Sequence, residues 1–416
     1  MKRTGIVVFV AVAAGAWPSL GLMSSSAQPE RGTDQSIDIA KLGLSDIELE
    51  DLSATADDMG ISLEQAVARY SWNQLFAETV GMVRATAEGS FASAEIVDAS
   101  NAWVLFTSDA PELALGAIDA FVAEHPNVAV KVSVDAAVNE RDLEAMIEAA
   151  HFAVLGHDAV ADASTVFDTY TQGLTTTVVL NRDAGDREVD ELVDVATSAI
   201  SEAGLRHALK AVDVVVLVSK AGEFGGVDAG NQHLGGELLN GIGCTSGFVV
   251  IQDGTGTLGV STAGHCDDSG ATDDGVALTF RGEHFGNNGD VQWHTGPQAR
   301  PSDFYAGDAN NTEVNRRTVT ELGAPVVGQS LCKNGRTNHR QCQEVRRLHV
   351  CRETACNMVQ MGARLAAPGD SGGPIYWNTT AYGLHSGWQY DPFPFNRDYF
   401  SRADRLPNAL GVHIAK

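Results

Sequence analysis

Within residues 45–87, apolar Leu63, Val67, Tyr70, Leu75, Phe76 and Val80 recur at roughly helical intervals among polar neighbours, the mark of helices that bury one face. Ser45 with Glu48, and Ser62 with Gln65, have the spacing of capping boxes, so two helices are expected in this stretch. The pattern then alternates in type. Runs 102–107, 128–134, 174–180 and 212–218 suit strands, while 112–124, 140–155 and 188–203 suit helices. That order describes two small α+β units in tandem.

Residues 220–236 are rich in glycine, lack a clear period and read as a linker. Beyond them, short apolar or alternating runs (247–252, 275–280, 291–294, 374–377) are punctuated by Gly, Asn and Asp, with almost no helical period until 401–410. Such texture belongs to a barrel or sandwich.

Charge sharpens this division. Residues 28–229 hold 11 Lys and Arg against 36 Asp and Glu, whereas residues 230–416 hold 15 against 18. An acidic half of this kind argues against nucleic acid, whose binding needs a basic face. At the start of the chain, Lys2 and Arg3 precede an apolar run over 5–16, and Ser25-Ser26-Ala27 offers small residues for cleavage. This pattern predicts an export signal over 1–27; an uncleaved anchor is the alternative, opposed by Pro18 and the serines. No later stretch is long and apolar enough to span a bilayer, so no membrane contact is expected after cleavage. All six cysteines (Cys244, Cys266, Cys332, Cys342, Cys351, Cys356) lie in the second half; on an exported chain an even count implies three disulfides. Zinc is disfavoured because no Cys-x-x-Cys pair exists, and no metal or other cofactor is expected. Asp267, Asp268, Asp273 and Asp274 crowd a polar turn that reads as a solvated hairpin end rather than a calcium site.

Two segments carry candidate chemistry: Thr262-Ala263-Gly264-His265-Cys266 and Gly369-Asp370-Ser371-Gly372-Gly373-Pro374. A histidine among small neighbours can position an imidazole that titrates near neutrality. A serine flanked by glycines lets backbone N–H groups face a developing oxyanion. Serine is a weak nucleophile alone, so the two segments make sense together.

In this order the two motifs resemble the trypsin/chymotrypsin-type serine peptidases, particularly the bacterial streptogrisin and α-lytic protease group, over residues 235–414. Cys244-Thr245-Ser246-Gly247-Phe248 and Asn334-Gly335-Arg336-Thr337 between Cys332 and Cys342 add to the likeness. The resemblance implies an all-β catalytic domain of two antiparallel six-stranded Greek-key barrels with a short C-terminal helix, at 230–416, preceded by an α+β pro-region at 28–229. It implies His265 as general base, Ser371 as nucleophile, and the N–H groups of Gly369 and Ser371 as oxyanion hole. The third member is sought among Asp267, Asp268, Asp273, Asp274, Asp290, Asp303, Asp308 and Asp370. Asp290 is favoured, since after Asn287-Asn288-Gly289 it opens an alternating run, like the family's entry to a buried strand. Ser386 resembles the family serine that bonds that Asp. Lys333 stands where the group tends to carry an Arg paired with the Asp before the nucleophile; a solvated lysine is the alternative.

The same resemblance implies bridges Cys244–Cys266 and Cys332–Cys342, leaving Cys351 with Cys356, a departure from the family's usual third bridge. A substrate pocket is expected at His385, Ser386, Gly387 and Trp388, together with the segment before Ser371. No carboxylate lies in 361–369, so preference for Lys or Arg is not expected. Trp388 as a plug suggests small or medium apolar side chains; His385 and Arg364 suggest glutamate as second choice. The implied protein is a secreted, monomeric endopeptidase acting on polypeptides, held as a zymogen by its own pro-region. Two other readings stay open: an inactive homologue serving as an extracellular binding protein, and an exported binding protein whose N-terminal half is the working module.

Overall fold

The structure, a computed structural model, describes residues 43–157, 160, 163–167, 174–180, 184–218, 236, 238–273, 276–296, 302–307, 315–363, 365–390 and 396–416. The expected export signal, most of the linker, Asp274, Asp308, Arg364 and the side chain of Trp388 lie outside the described residues.

The N-terminal stretch folds as three helices, not two: α1 (Asp46–Met59), α2 (Leu63–Tyr70) and α3 (Asn73–Thr86). Both capping boxes form, with the Ser45 and Ser62 hydroxyls accepting from the N–H of Glu48 and Gln65, whose side chains accept in return from the serine N–H groups. The division after Tyr70 escapes a sequence reading because Ser71 and Trp72 keep near-helical backbone angles and neither Gly nor Pro marks the break. Trp72 fixes that corner from inside, buried and donating its indole N–H to the Ala99 carbonyl.

Strands β1 (Phe91–Ile96), β2 (Asn101–Phe106) and β3 (Ala129–Ser133) make one sheet, with helix α4 (Glu112–Glu124) between β2 and β3. Helix α5 (Glu140–Leu155), β4 (Ala163–Phe167), β5 (Thr175–Leu180), α6 (Asp186–Glu202) and β6 (Asp213–Val218) make the second unit. Strands β1 and β4 were not expected; β1 carries two alanines, a serine and a glutamate among its six residues and so has little β propensity to announce it.

The C-terminal half is all-β apart from a short closing helix, α7 (Leu406–Leu410). Its first sheet contains β7 (Val249–Gln252), β8 (Leu258–Thr262), β9 (Thr279–Gly286) and β10 (Gly289–Thr295). The second sheet contains β11 (Ser330–Lys333), β12 (Gln341–Arg352), β13 (Ala355–Met361), β14 (Pro374–Trp377), β15 (Thr380–Tyr390) and β16 (Asn396–Arg402). The chain ends in β17 (Val412–Ile414), which returns to β7, so the first sheet runs β9-β10-β8-β7-β17, five strands among the described residues where six were expected. The second runs β11-β14-β15-β16-β13-β12, and β12 pairs back with β11 to close a six-stranded barrel.

The two halves are one packed body. Beyond the barrel, the tip of β12 pairs with β4, Cys351 opposite Thr165, so β4, β5 and β6 extend the second barrel's sheet. On another face, Leu52, Ala56, Val67 and Tyr70 of α1 and α2 join the same hydrophobic cluster as Leu331, Tyr376, Trp377 and Tyr382. Within that contact, fully buried Asp51 grips Arg317 with both oxygens (2.7 and 2.9 Å) and accepts the Asn378 N–H at 2.8 Å. Bridges Cys244–Cys266, Cys332–Cys342 and Cys351–Cys356 are all formed, the last closing the β12–β13 hairpin tip.

Candidate active site

The cleft between the two β sheets gathers residues from both. His265 follows β8, Asp290 sits at the start of β10, and Ser371 precedes β14. Gly264 is required beside the histidine: a Cβ there would lie 2.9 Å from Asp290 Oδ1 and 2.8 Å from the Val291 nitrogen. Its absence lets the His265 turn rest on the Asp290 carboxylate.

Asp290 Oδ1 accepts the His265 backbone N–H at 2.8 Å, and Oδ2 takes His265 Nδ1 at 2.7 Å. The Ser386 hydroxyl donates to the same Oδ2, and the Ser401 hydroxyl accepts the Asp290 N–H at 2.9 Å. A fully buried carboxylate so surrounded acts as the acceptor for Nδ1–H, which leaves Nε2 bare to accept the Ser371 hydroxyl at 3.0 Å. Ser371 Oγ also lies 3.2 Å from the Ser386 carbonyl, a second acceptor for the same proton. Burial would raise the Asp290 pKa, but the charge and hydrogen bond of His265 hold it below the usual carboxylate range. Burial would lower the His265 pKa, yet the Asp290 charge and hydrogen bond raise it above the ordinary imidazole value.

The nucleophile loop is clamped from beneath. Thr245 donates its hydroxyl to the Gly369 carbonyl at 2.6 Å and its N–H to the Ser371 carbonyl at 2.7 Å. Buried Asp370 takes Lys333 at 2.8 Å and the N–H groups of Ala367 and Thr337 at 2.9 and 2.8 Å. The lysine is therefore a buried partner of Asp370, not a solvated one, and its charge offsets the effect of burial to keep that carboxyl below the usual range. Gly369 adopts φ 98°, a conformation open to glycine, which turns the peptide run ahead of Ser371.

The cleft has a volume of about 380 Å³ and is lined by His265, Ser371, His385, Ser386, Gly387 and the 367–369 segment, among others. His385 is buried, so it is a wall of the cleft and not a surface group. Asp267, Asp268 and Asp273 share no metal-sized cluster among the described residues. The two clusters of that size there, around His265 and His151, each use cysteines already bridged. One residue that the sequence reading did not single out, Asp398 of β16, is brought here by cross-strand register: its Oδ2 accepts the N–H groups of Leu365 and Ala366 at 2.8 and 3.0 Å.

Residues 244–393 match the trypsin family, and the C-terminal half of this chain has the chymotrypsin-like all-β fold. Within it the likeness is to bacterial enzymes. Streptogrisin-C of Streptomyces griseus is 31% identical over 189 residues, covering 42% of this chain and 39% of that protein. Streptogrisin-D of the same organism is 29% identical over 205 residues, covering 47% and 50%. The matched segments thus span half or less of these relatives' own length. Among solved structures, a Cellulomonas bogoriensis chymotrypsin is 25% identical with TM-score 0.34, covering 45% of this chain and 97% of that one.

Proposed function

We propose that this chain is a serine endopeptidase made for export as a zymogen, with a signal at 1–27, a pro-region at 28–229 and a catalytic domain at 230–416. The observation that carries the reading is the unbroken hydrogen-bonded line from Asp290 through His265 to Ser371. In the forward step, Ser371 Oγ attacks the substrate carbonyl as His265 Nε2 takes its proton; His265 then protonates the leaving amine, and the acyl-enzyme is hydrolysed by water through the same imidazole. Asp290 stays ionised throughout, fixing the tautomer and stabilising the imidazolium. The N–H groups of Gly369 and Ser371 serve the oxyanion, each such donor contributing about 3 kcal/mol. His385, Ser386, Gly387 and Trp388 form the substrate pocket.

The pro-region assignment draws support from β4 pairing to the β12 tip and from α1 and α2 sharing the second barrel's core. A template that supplies strands and apolar surface to a barrel of many non-local pairings lowers the barrier to assembling it.

The mechanism makes a signed prediction about pH. His265 is a base only when neutral, so kcat/KM on a casein-derived peptide falls as pH drops through a His265 pKa that lies above its ordinary value of 6.5. Removing the negative charge with Asp290→Asn shifts that acid limb to lower pH and cuts the rate by about 10⁴. An unchanged limb in Asp290→Asn, or no casein hydrolysis by the unmutated enzyme, would count against the assignment.

A further inference from the structure

We infer that the Cys351–Cys356 bridge is a thiol-exchange site of the processed enzyme, shielded by the N-terminal half in the uncut chain, and that its reduction by a low-molecular-weight thiol releases one wall of the cleft. This rests on the zymogen reading above.

The bridge takes its cover from outside the catalytic half. Cys351 and Cys356 are fully buried, yet every other buried residue of their hydrophobic cluster, from Val138 to Val216, belongs to the N-terminal half. The other two bridges are covered from within. Cys244 and Cys266 pack with Leu239, Ile242, Val260 and Ala263, while Cys332 and Cys342 keep Leu331, Ile375 and Tyr376 even when α1 and α2 are gone. Removal of residues 28–229 therefore strips the hairpin bridge of the apolar residues clustered around it. Access decides the rate of exchange, because a thiolate must reach a sulfur.

What the bridge holds is part of the cleft. Arg352, Glu353 and Ala355, between the two cysteines, line the same cleft as His265 and Ser371. The hairpin that carries them is weakly held by its own ladder, since the register between β12 and β13 is interrupted three times between Val345 and Arg352. His349, Glu353 and Asn357 also take φ of 55°, 51° and 58°, left-handed values that residues with a side chain rarely adopt. In the uncut chain the N-terminal half secures each of the three. His349 Nε2 lies 3.2 Å from Glu140 Oε1, the Asn357 amide donates to Glu148 at 2.7 Å, and Glu353 donates its N–H to the Ala163 carbonyl at 3.1 Å while its own carbonyl meets His151 Nε2 at 2.6 Å. Processing removes all of these contacts. The bridge is then the covalent tie that still closes the tip.

The exchange runs in two steps. A small thiolate attacks one bridge sulfur, forming a mixed disulfide and expelling the other cysteine as a thiolate; a second small thiol displaces the first. Two small thiols are thereby oxidised to one disulfide, and Cys351 and Cys356 are reduced, their thiolates taking up the two protons released. Once opened, the tip relaxes from its left-handed turns and draws Arg352, Glu353 and Ala355 away from the cleft. The triad stands on β8, β10 and the loop before β14, outside this hairpin.

The test compares secreted, processed enzyme with the uncut full chain, the latter as Ser371→Ala or isolated by size before processing is complete. Both are exposed to reduced glutathione and trapped with iodoacetamide, and each bridge is followed by peptide mass. In processed enzyme Cys351 and Cys356 are expected to be alkylated faster than Cys244 and Cys266 by about tenfold or more, and in the uncut chain no faster. Reduced processed enzyme should still be labelled by a fluorophosphonate, while its kcat/KM on peptides extending several residues before the cut bond falls by about tenfold and returns on reoxidation. Cys351→Ser combined with Cys356→Ser is expected to reproduce the reduced rate and to ignore glutathione. A chain that is never cut, or that a fluorophosphonate never labels, would overturn the zymogen reading and this inference with it. Labelled enzyme whose hairpin bridge resists glutathione, or opens as fast in the uncut chain, would overturn the exchange site alone. A bridge that opens with kcat/KM unchanged would overturn its hold on the cleft.

Discussion

Ser371→Ala is expected to lower kcat by about 10⁶ while leaving the fold unchanged. The hydroxyl is the only atom removed, and its hydrogen-bonded neighbours are the His265 ring and the Ser386 carbonyl, both at the cleft where water can replace it. Nothing in the clamp beneath depends on it, since Thr245 holds the Ser371 main chain and Asp370 is held by Lys333. His265→Ala should cost about as much, and the double variant little more, because the two act as a unit and their losses do not add. Kinetics with an active-site titration, alongside a melting curve, checks both halves of the expectation. If maturation is self-catalysed, Ser371→Ala also accumulates as the uncut precursor. Robust peptide hydrolysis by purified Ser371→Ala would remove Ser371 from the mechanism.

Denatured residues 230–416, diluted alone into native buffer, are expected to give almost no active enzyme, and adding residues 28–229 in trans is expected to restore it. The reason lies in what the catalytic half would leave unsatisfied during assembly. Without α1, Arg317 loses both Asp51 oxygens, the Asn378 and Cys342 N–H groups lose Asp51 and Asp58, and Tyr376 and Trp377 lose apolar neighbours. Without α2, Glu344 loses Arg69 and Tyr70 at 2.6 and 2.8 Å. Breaking one buried pair by removing a partner typically costs about 3–5 kcal/mol, so Asp51→Ala in the added fragment should sharply weaken the rescue. Recovered activity after a fixed refolding time, measured with and without each fragment, reads this directly. Equal yields with and without residues 28–229 would sink the template idea; full rescue by the Asp51→Ala fragment would remove the Asp51–Arg317 contact from it.

Much of this protein was legible as sequence because the relevant physics is local. Capping boxes at Ser45 and Ser62, helices such as 112–124 and 140–155, and the change of texture past the glycine-rich stretch are set by neighbours three or four residues apart. The two short motifs around His265 and Ser371 were likewise self-announcing, because a backbone that must turn tightly beside a reactive group requires small residues at fixed offsets. What the sequence could not decide was every relation set by register across strands. Asp290 was favoured among eight carboxylates from the run it opens, but its contact with the His265 turn exists only because β10 lays it there. Lys333 could equally have been solvated until β11 brought it to Asp370. The hairpin closed by Cys351 and Cys356 gave no hint that β4 would pair with its tip, and nothing local told that Asp398 on a later strand would hold the N–H groups of Leu365 and Ala366. A strand's side chains acquire their neighbours from whichever strand lies alongside, and a shift of one residue would exchange one face for the other. That choice is made by the whole sheet at once, which is why the chemistry's parts could be read from the chain but their meeting could be read from the fold alone.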